Sequence, residues 1–178
     1  MEECLLKGNP LTDKNTDHSY LEAYTKLLQP RKNRIKNVLE IGVVMFGGGS
    51  SIMFHDYLEN SIIYALDNLD HPKILDKYER IIPLKMDAYC DETIKELSKR
   101  KYDFITDDGS HQLHHQIYVA SHYFPLLEEG GLLIIEDIQN INYCPLIISA
   151  CSGFRGYEIH DLRSKKNRAD DIFIVFFK

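Results

Sequence analysis

Along the chain, short apolar runs alternate with stretches in which apolar residues recur every three to four positions. Runs over 37–41, 61–66, 80–84, 102–106 and 132–135 predict strands. Helical spacing marks 18–29, where Tyr20, Leu21, Tyr24, Leu27 and Leu28 share a side before Pro30 stops the run. The same spacing marks 50–58, 92–99, 111–127 and 144–151, with a short helix over 71–78. Residues 155–162 and 171–177 read as two closing strands with no helix between them. Residues 1–17 are polar and turn-rich, with Gly8-Asn9-Pro10 as a turn, and Gly130-Gly131 breaks the chain before the strand at 132–135.

Strand–helix alternation at this period implies crossover connections, hence a mainly parallel sheet with helices on both faces. Residues 132–135 are apolar at every position, as a strand covered on both faces must be. The two closing strands lack a crossover, so one of them runs antiparallel. The expected fold is α/β: a doubly wound, mostly parallel seven-stranded sheet with an antiparallel edge strand. In such sheets ligands bind beyond the carboxyl ends of the strands, near the point where strand order reverses. The residues that follow each strand are therefore the ones to inspect.

After the first strand comes Glu40-Ile41-Gly42-Val43-Val44-Met45-Phe46-Gly47-Gly48-Gly49-Ser50. Its glycines allow backbone to pass close to a ligand, but Val44 stands where the dinucleotide fingerprint needs its second glycine. The second strand ends at Asp67, a residue type that accepts hydrogen bonds from ribose hydroxyls or caps a turn. The third runs into Met86-Asp87-Ala88. Together Glu40, Asp67 and Asp87 describe a nucleoside site without a dedicated phosphate cradle.

Strand four ends in Thr106-Asp107-Asp108-Gly109-Ser110-His111 and strand five in Ile135-Glu136-Asp137. If these are neighbours, four carboxylates and an imidazole converge at one edge. Crowded carboxylates repel one another unless a cation neutralises them, and hard oxygen donors suit Mg²⁺, Ca²⁺ or Mn²⁺ rather than zinc. Histidine, with an ordinary pKa near 6.5, suits a general base. The competing account is a helix cap at Asp107 or Asp108 and a solvated loop at Glu136-Asp137. Zinc on His111, His114 and His115 is disfavoured, because adjacent helical residues point about 100° apart.

The 178 residues make about one domain by the usual ~150-residue measure. A net charge of -6 opposes approach to polyphosphate and argues against nucleic-acid binding. No apolar run reaches the roughly 18 residues of a membrane span. Four dispersed cysteines and a start without a signal-peptide pattern lead us to expect a reduced, cytoplasmic protein.

At these residues the sequence resembles the class I S-adenosylmethionine-dependent methyltransferases, and among them the metal-dependent sugar O-methyltransferases of macrolide biosynthesis (mycinamicin and macrocin type). Four stretches carry the likeness: Thr12-Asp13-Lys14 with His18, Tyr20 and Tyr24; Val38 to Val43 with Gly47 to Ser50; Asp107-Asp108-Gly109-Ser110-His111; and Gly130-Gly131-Leu132 with Glu136-Asp137. The resemblance implies a Rossmann-like methyltransferase fold. It implies a metal, Mg²⁺ foremost, held by Asp108, Glu136 and Asp137, with His111 as general base. Glu40, Gly42, Asp67, Asp87, Ala88 and Asp107 would line the S-adenosylmethionine pocket. Residues 1–30 would form an N-terminal lid and 31–178 the catalytic domain. A sugar or glycan hydroxyl would be the acceptor, with no nucleic-acid or membrane partner and the oligomeric state open. A catechol-like acceptor and a cofactor-binding interaction module without catalysis are the alternatives.

Overall fold

A computed structural model describes Met1 and residues 12–178; the Gly8-Asn9-Pro10 turn and Cys4 lie outside the described residues. The elements in chain order are α1 (Asp13–Thr16), α2 (Leu21–Leu28), β1 (Asn37–Ile41), α3 (Gly49–Tyr57), β2 (Ile62–Asp67), β3 (Ile81–Lys85) and α4 (Asp91–Leu97). They continue with β4 (Tyr102–Asp107), α5 (Leu113–His122), β5 (Leu127–Ile135), α6 (Cys144–Ala150), β6 (Gly156–Asp161), α7 (Arg163–Lys166) and β7 (Ile172–Phe177).

The seven strands form one sheet in the order β3-β2-β1-β4-β5-β7-β6. Pairings among β3, β2, β1, β4 and β5 are all parallel, whereas β7 is antiparallel to both β5 and β6. The antiparallel edge expected from the missing crossover is thus the β7–β6 pair, with the reversed strand β7 slotted inside β6, although a four-residue helix, α7, lies between them where none was expected. Each face of the sheet carries its own core. Val38, Phe104, Phe173 and Val175 pack against Tyr24, Leu28, Ile52 and Phe54 of α2 and α3. On the other face Leu39, Ile105, Leu133 and Ile174 pack against Val119, Tyr123 and Ile147 of α5, its C-terminal end and α6. Burial of both faces explains why residues 132–135 of β5, and β7, are apolar without alternation.

Three sequence expectations need correction. The helix over 111–127 stops at His122, and Phe124–Leu126 is a single 3₁₀ turn, because Pro125 has no N–H to continue the ladder. The strand that follows starts at Leu127 rather than 132. Gly130, with φ +81°, makes a bulge there, and the pairing with β4 slips between Tyr102 and Phe104. The stretch 71–78 is a 3₁₀ turn, Lys73–Lys77, that begins after Pro72. The turn-rich N-terminus also contains the four-residue helix α1, started by Thr12, whose hydroxyl accepts from the Lys14 N–H.

Candidate active site at the strand switch point

Strand order reverses between β1 and β4, and their carboxyl ends approach unusually closely there. β1 runs into Gly42 at φ +81°, and a Cβ on Gly42 would stand 2.0 Å from the Asp108 carbonyl oxygen. Only glycine permits that approach. The loop from Val43 to Gly48 is pinned from the end of β2: Asp67 Oδ2 accepts from the N–H groups of Val43 (2.8 Å) and Val44 (3.0 Å). Beyond β3, Asp87 accepts from the Tyr89 N–H at 2.9 Å. Gly42, Val44, Asp67, Asp87, Ala88, Tyr89 and Asp108 line a cavity of about 210 Å³.

Glu40 and Asp107 lie beneath this cavity and not on its wall. Glu40 is fully buried and takes a hydrogen bond from the Ser51 hydroxyl, while its Oε1 meets no hydrogen-bond partner among the described residues. Burial lifts its carboxyl above the ordinary range. Asp107 faces the Tyr89 hydroxyl at 3.5 Å, and burial with the nearby charge of Glu136 pushes it up to about 7.

A second cavity of about 210 Å³ shares Gly42, Met45, Asp108 and Gly109 with the first and is otherwise lined largely by polar side chains, among them Thr12, Asp13, Ser50, His111, Asp137 and Arg168. At its base Asp108, His111 and Asp137 each present one ligand atom, all within 4.8 Å of one another. His111 Nε2 lies 3.7 Å from Asp137 Oδ2 and 4.0 Å from Asp108 Oδ1. Two carboxylates and an imidazole suit a divalent cation such as Mg²⁺ or Mn²⁺, so the residues present fit that group. His111 (φ 56°) and Asp137 (φ 52°) both hold left-handed backbone, at a cost of about 1–2 kcal/mol each for residues with a Cβ. Strain of this kind persists where the surroundings over-determine a geometry, and here it coincides with the converging ligand atoms.

Glu136 stands apart from that set, because the N-terminal segment claims it. Lys14 Nζ donates to Glu136 Oε2 at 2.8 Å and to Asp108 Oδ2 at 2.7 Å. The other Glu136 oxygen takes the Tyr24 hydroxyl and, at 2.8 Å, the Thr106 hydroxyl. Burial alone would lower the Lys14 pKa, but the carboxylates of Asp108 and Glu136 outweigh it and hold the ammonium charged. Asp137 receives the Tyr20 hydroxyl at 2.7 Å and faces His18 Nε2 at 3.2 Å. Against the cost of burial, His18 and His111 keep its carboxyl below the ordinary range. Asp13 and His18 form a second grouping of ligand atoms with Asp137.

Sequence reasoning gave no chemical role to Lys14, His18, Tyr20 or Tyr24. The available signal was the Thr12-Asp13-Lys14 stretch with the tyrosines that follow, whose helical spacing marked them as core. They are core along their rings, with Tyr24 edge-on to Phe104 at 6.1 Å, and site residues at their hydroxyls. Of the helical histidines, His115 stacks on Tyr89 at 3.8 Å and pairs with Ser110. A larger depression, about 1150 Å³, runs along the outer side of α2 and carries none of the strand-end carboxylates.

No family model matches the chain. Among curated proteins it is 32% identical over 141 residues to 8-demethyl-8-alpha-L-rhamnosyl tetracenomycin-C 2'-O-methyltransferase of Streptomyces olivaceus, covering 75% of this chain and 36% of that one. It is 30% identical over 128 residues to mycinamicin VI 2''-O-methyltransferase of Micromonospora griseorubida, covering 68% and 32%. The chain belongs to the class I S-adenosylmethionine-dependent methyltransferases and resembles the macrolide sugar O-methyltransferases. Among solved structures, the MycE methyltransferase of the mycinamycin pathway in complex with Mg and SAH superposes with a TM-score of 0.62 at 30% identity, over 66% of this chain and 31% of that one. Its other crystal form gives 0.72 over 89% and 49%, at 23% identity. This methyltransferase-fold chain therefore spans about a third of the length of the curated relatives, 36% and 32% for the two named above. Among its described residues no helix is long and apolar enough to cross a membrane.

Proposed function

We propose that the chain is an S-adenosylmethionine-dependent, divalent-metal-dependent O-methyltransferase acting on a sugar or glycan hydroxyl, with His111 as general base. The observation that carries this reading is the convergence of Asp108, His111 and Asp137 where the two cavities meet at the switch point. In this reading the cavity walled by Asp67, Asp87 and Ala88 takes the cofactor and the polar cavity beside it takes the acceptor. When bound, the cofactor supplies an electrophilic methyl group and a divalent cation acidifies the acceptor hydroxyl.

The chain's own residues do the rest. Asp108 and Asp137 would hold the cation, and Gly42 and Gly109, where a Cβ would strike the Asp108 carbonyl and the Tyr89 hydroxyl, let the strand ends close up along the boundary that the two cavities share. His111 is partly exposed to the acceptor cavity and is oriented by Asp137, so its imidazole can take the hydroxyl proton as the oxygen attacks. The N-terminal segment, which closes over the carboxylates through Lys14, His18 and Tyr20, serves as a lid. His111→Ala should reduce turnover by about 10²–10⁴-fold while S-adenosylmethionine binding, followed by calorimetry, changes little. Intact turnover in that variant removes His111 from the mechanism.

One observation favours a second reading. Met45 is 88% exposed and Phe46 44% exposed at the mouth of the acceptor cavity, an apolar lip suited to a catechol-like ring. A parallel screen of sugar nucleotides, glycosides and catechols separates the two. Methylation of catechols alone selects the second.

A further inference from the structure

Lys14 brings a positive charge among the strand-end carboxylates, a feature that the strand-end reading did not call for. Its side chain is fully buried, and its ammonium takes one oxygen from Asp108 and one from Glu136. It rides on the four-residue helix α1, whose C-terminal end is held by Lys166 Nζ through the carbonyls of Asn15 (2.8 Å), Thr16 (3.0 Å) and His18 (2.6 Å). While Lys14 is in place, Glu136 belongs to neither grouping of converging ligand atoms among the described residues: Asp108 and His111 with Asp137, or Asp13 and His18 with Asp137. Glu136 can join them only if Lys14 leaves, because its second oxygen already serves Tyr24 and Thr106.

Resting on the reading above that Asp108 and Asp137 hold a divalent ion, we propose that Lys14 is a positioning residue acting as a resident counter-cation. It keeps Asp108 and Glu136 in register, and it competes with the ion for them. An ion on Asp108 would share that carboxylate with the Lys14 ammonium, and like charges on one buried carboxylate repel strongly. With an ion loaded, Lys14 would leave, residues 12–20 would loosen from the strand ends, and Glu136 would become available beside Asp108 and Asp137 in place of His111. The imidazole is then free to take a proton. Ion loading and lid opening are two sides of one equilibrium, so whatever stabilises the docked segment weakens the ion, by the same factor.

Mn²⁺ binding, followed by the paramagnetic resonance signal of the free ion, tests the competition in the wild-type chain, Lys14→Met, Lys14→Arg and Asp137→Asn. Lys14→Met should bind Mn²⁺ about tenfold tighter or more, and Lys14→Arg should stay near wild type. Hydrogen exchange of the wild-type chain should rise across residues 13–20 on saturation with Mg²⁺, a readout that needs no variant to fold. Equal or weaker Mn²⁺ binding by Lys14→Met, with Asp137→Asn still losing the ion, overturns the inference and leaves the metal site standing. Unchanged or slower exchange at 13–20 also overturns it. Absence of Mn²⁺ binding in every protein overturns both the inference and the metal reading.

Discussion

Replacing Gly42 by alanine should damage the protein out of proportion to one methyl group. Two effects combine. Left-handed backbone at φ +81° costs an alanine about 1–2 kcal/mol. The new Cβ would also stand 2.0 Å from the Asp108 carbonyl oxygen and 2.7 Å from the Gly109 Cα. Those are backbone atoms, so relief requires β1 and β4 to separate at their carboxyl ends, an overpacking cost of about 1–3 kcal/mol. The total is roughly 2–5 kcal/mol, which for a chain of this size lowers the melting temperature by roughly 5–20 °C. Gly47→Ala is the internal control: its φ is +64° but nothing lies within 4 Å of the built Cβ, so only the backbone cost of about 1–2 kcal/mol applies. Thermal unfolding by circular dichroism compares the two, and calorimetry with S-adenosylmethionine shows whether Gly42→Ala also closes the cavity proposed for the cofactor. Equal melting temperatures for the two variants would refute the close approach of the strand ends.

Tyr24→Phe removes a hydroxyl that donates to Glu136 and pairs with Thr106 at 2.7 Å inside the protein, and should lower stability in urea by about 1–3 kcal/mol; an unmoved midpoint would mean that water or Lys14 satisfies Glu136 without it. Asp67→Ala deletes the acceptor for the Val43 and Val44 N–H groups, so hydrogen exchange should rise across 43–48 and S-adenosylmethionine binding should weaken, and unaltered exchange there contradicts the pinning. Burial pushes the Cys151 thiol up to about 12 and raises that of Cys144, so both stay protonated at pH 8 while Cys90 is partly exposed. Iodoacetamide should then label Cys90 and spare the other two until urea is added, and peptide mass analysis showing early modification of Cys151 would contradict its burial.

The sheet was legible because its determinants are local. Strands β1 to β4 fall within a residue or so of their sequence-based positions, since each is a short apolar run between punctuating residues. The reversed strand followed from the shortness of the connection between the last two runs: the helix it does contain, α7, is only four residues long, too brief for a parallel crossover. The misses were also physical. A single proline inside an apolar helical pattern ended α5 early, and a glycine bulge let β5 begin before the break that Gly130-Gly131 suggested. Asp67, Asp87, Asp108, His111 and Asp137 were reachable from strand-end logic alone, and the structure gathers them around the two adjoining cavities. Strand-end logic does not distinguish a residue on the cavity wall from one beneath it. Glu40 sits one residue before the end of β1, where the pleat and the helix α3 cover it, and its nearest partner is Ser51.

The role of Lys14 was beyond strand-end reasoning for a different reason. Its partners lie 94 and 122 residues away, and no periodicity links a polar N-terminal turn to the ends of β4 and β5. Yet the electrostatic argument that pointed to the site already contained the need for it. Clustered carboxylates in a dry cleft demand positive charge, and the reading of the strand ends assigned that demand to a bound cation alone. The chain supplies part of it from within, through an ammonium held at 2.7–2.8 Å from two carboxylates. Breaking a buried pair of this kind by removing one partner leaves an uncompensated charge at a cost of about 3–5 kcal/mol. Exchange of Lys14 for a divalent ion, as proposed above, would carry no such penalty on the carboxylates, because the ion would take over their charge as the ammonium departed into water. That asymmetry is what makes a buried lysine suitable as a replaceable occupant: it is strongly held against loss of charge and weakly held against exchange of charge.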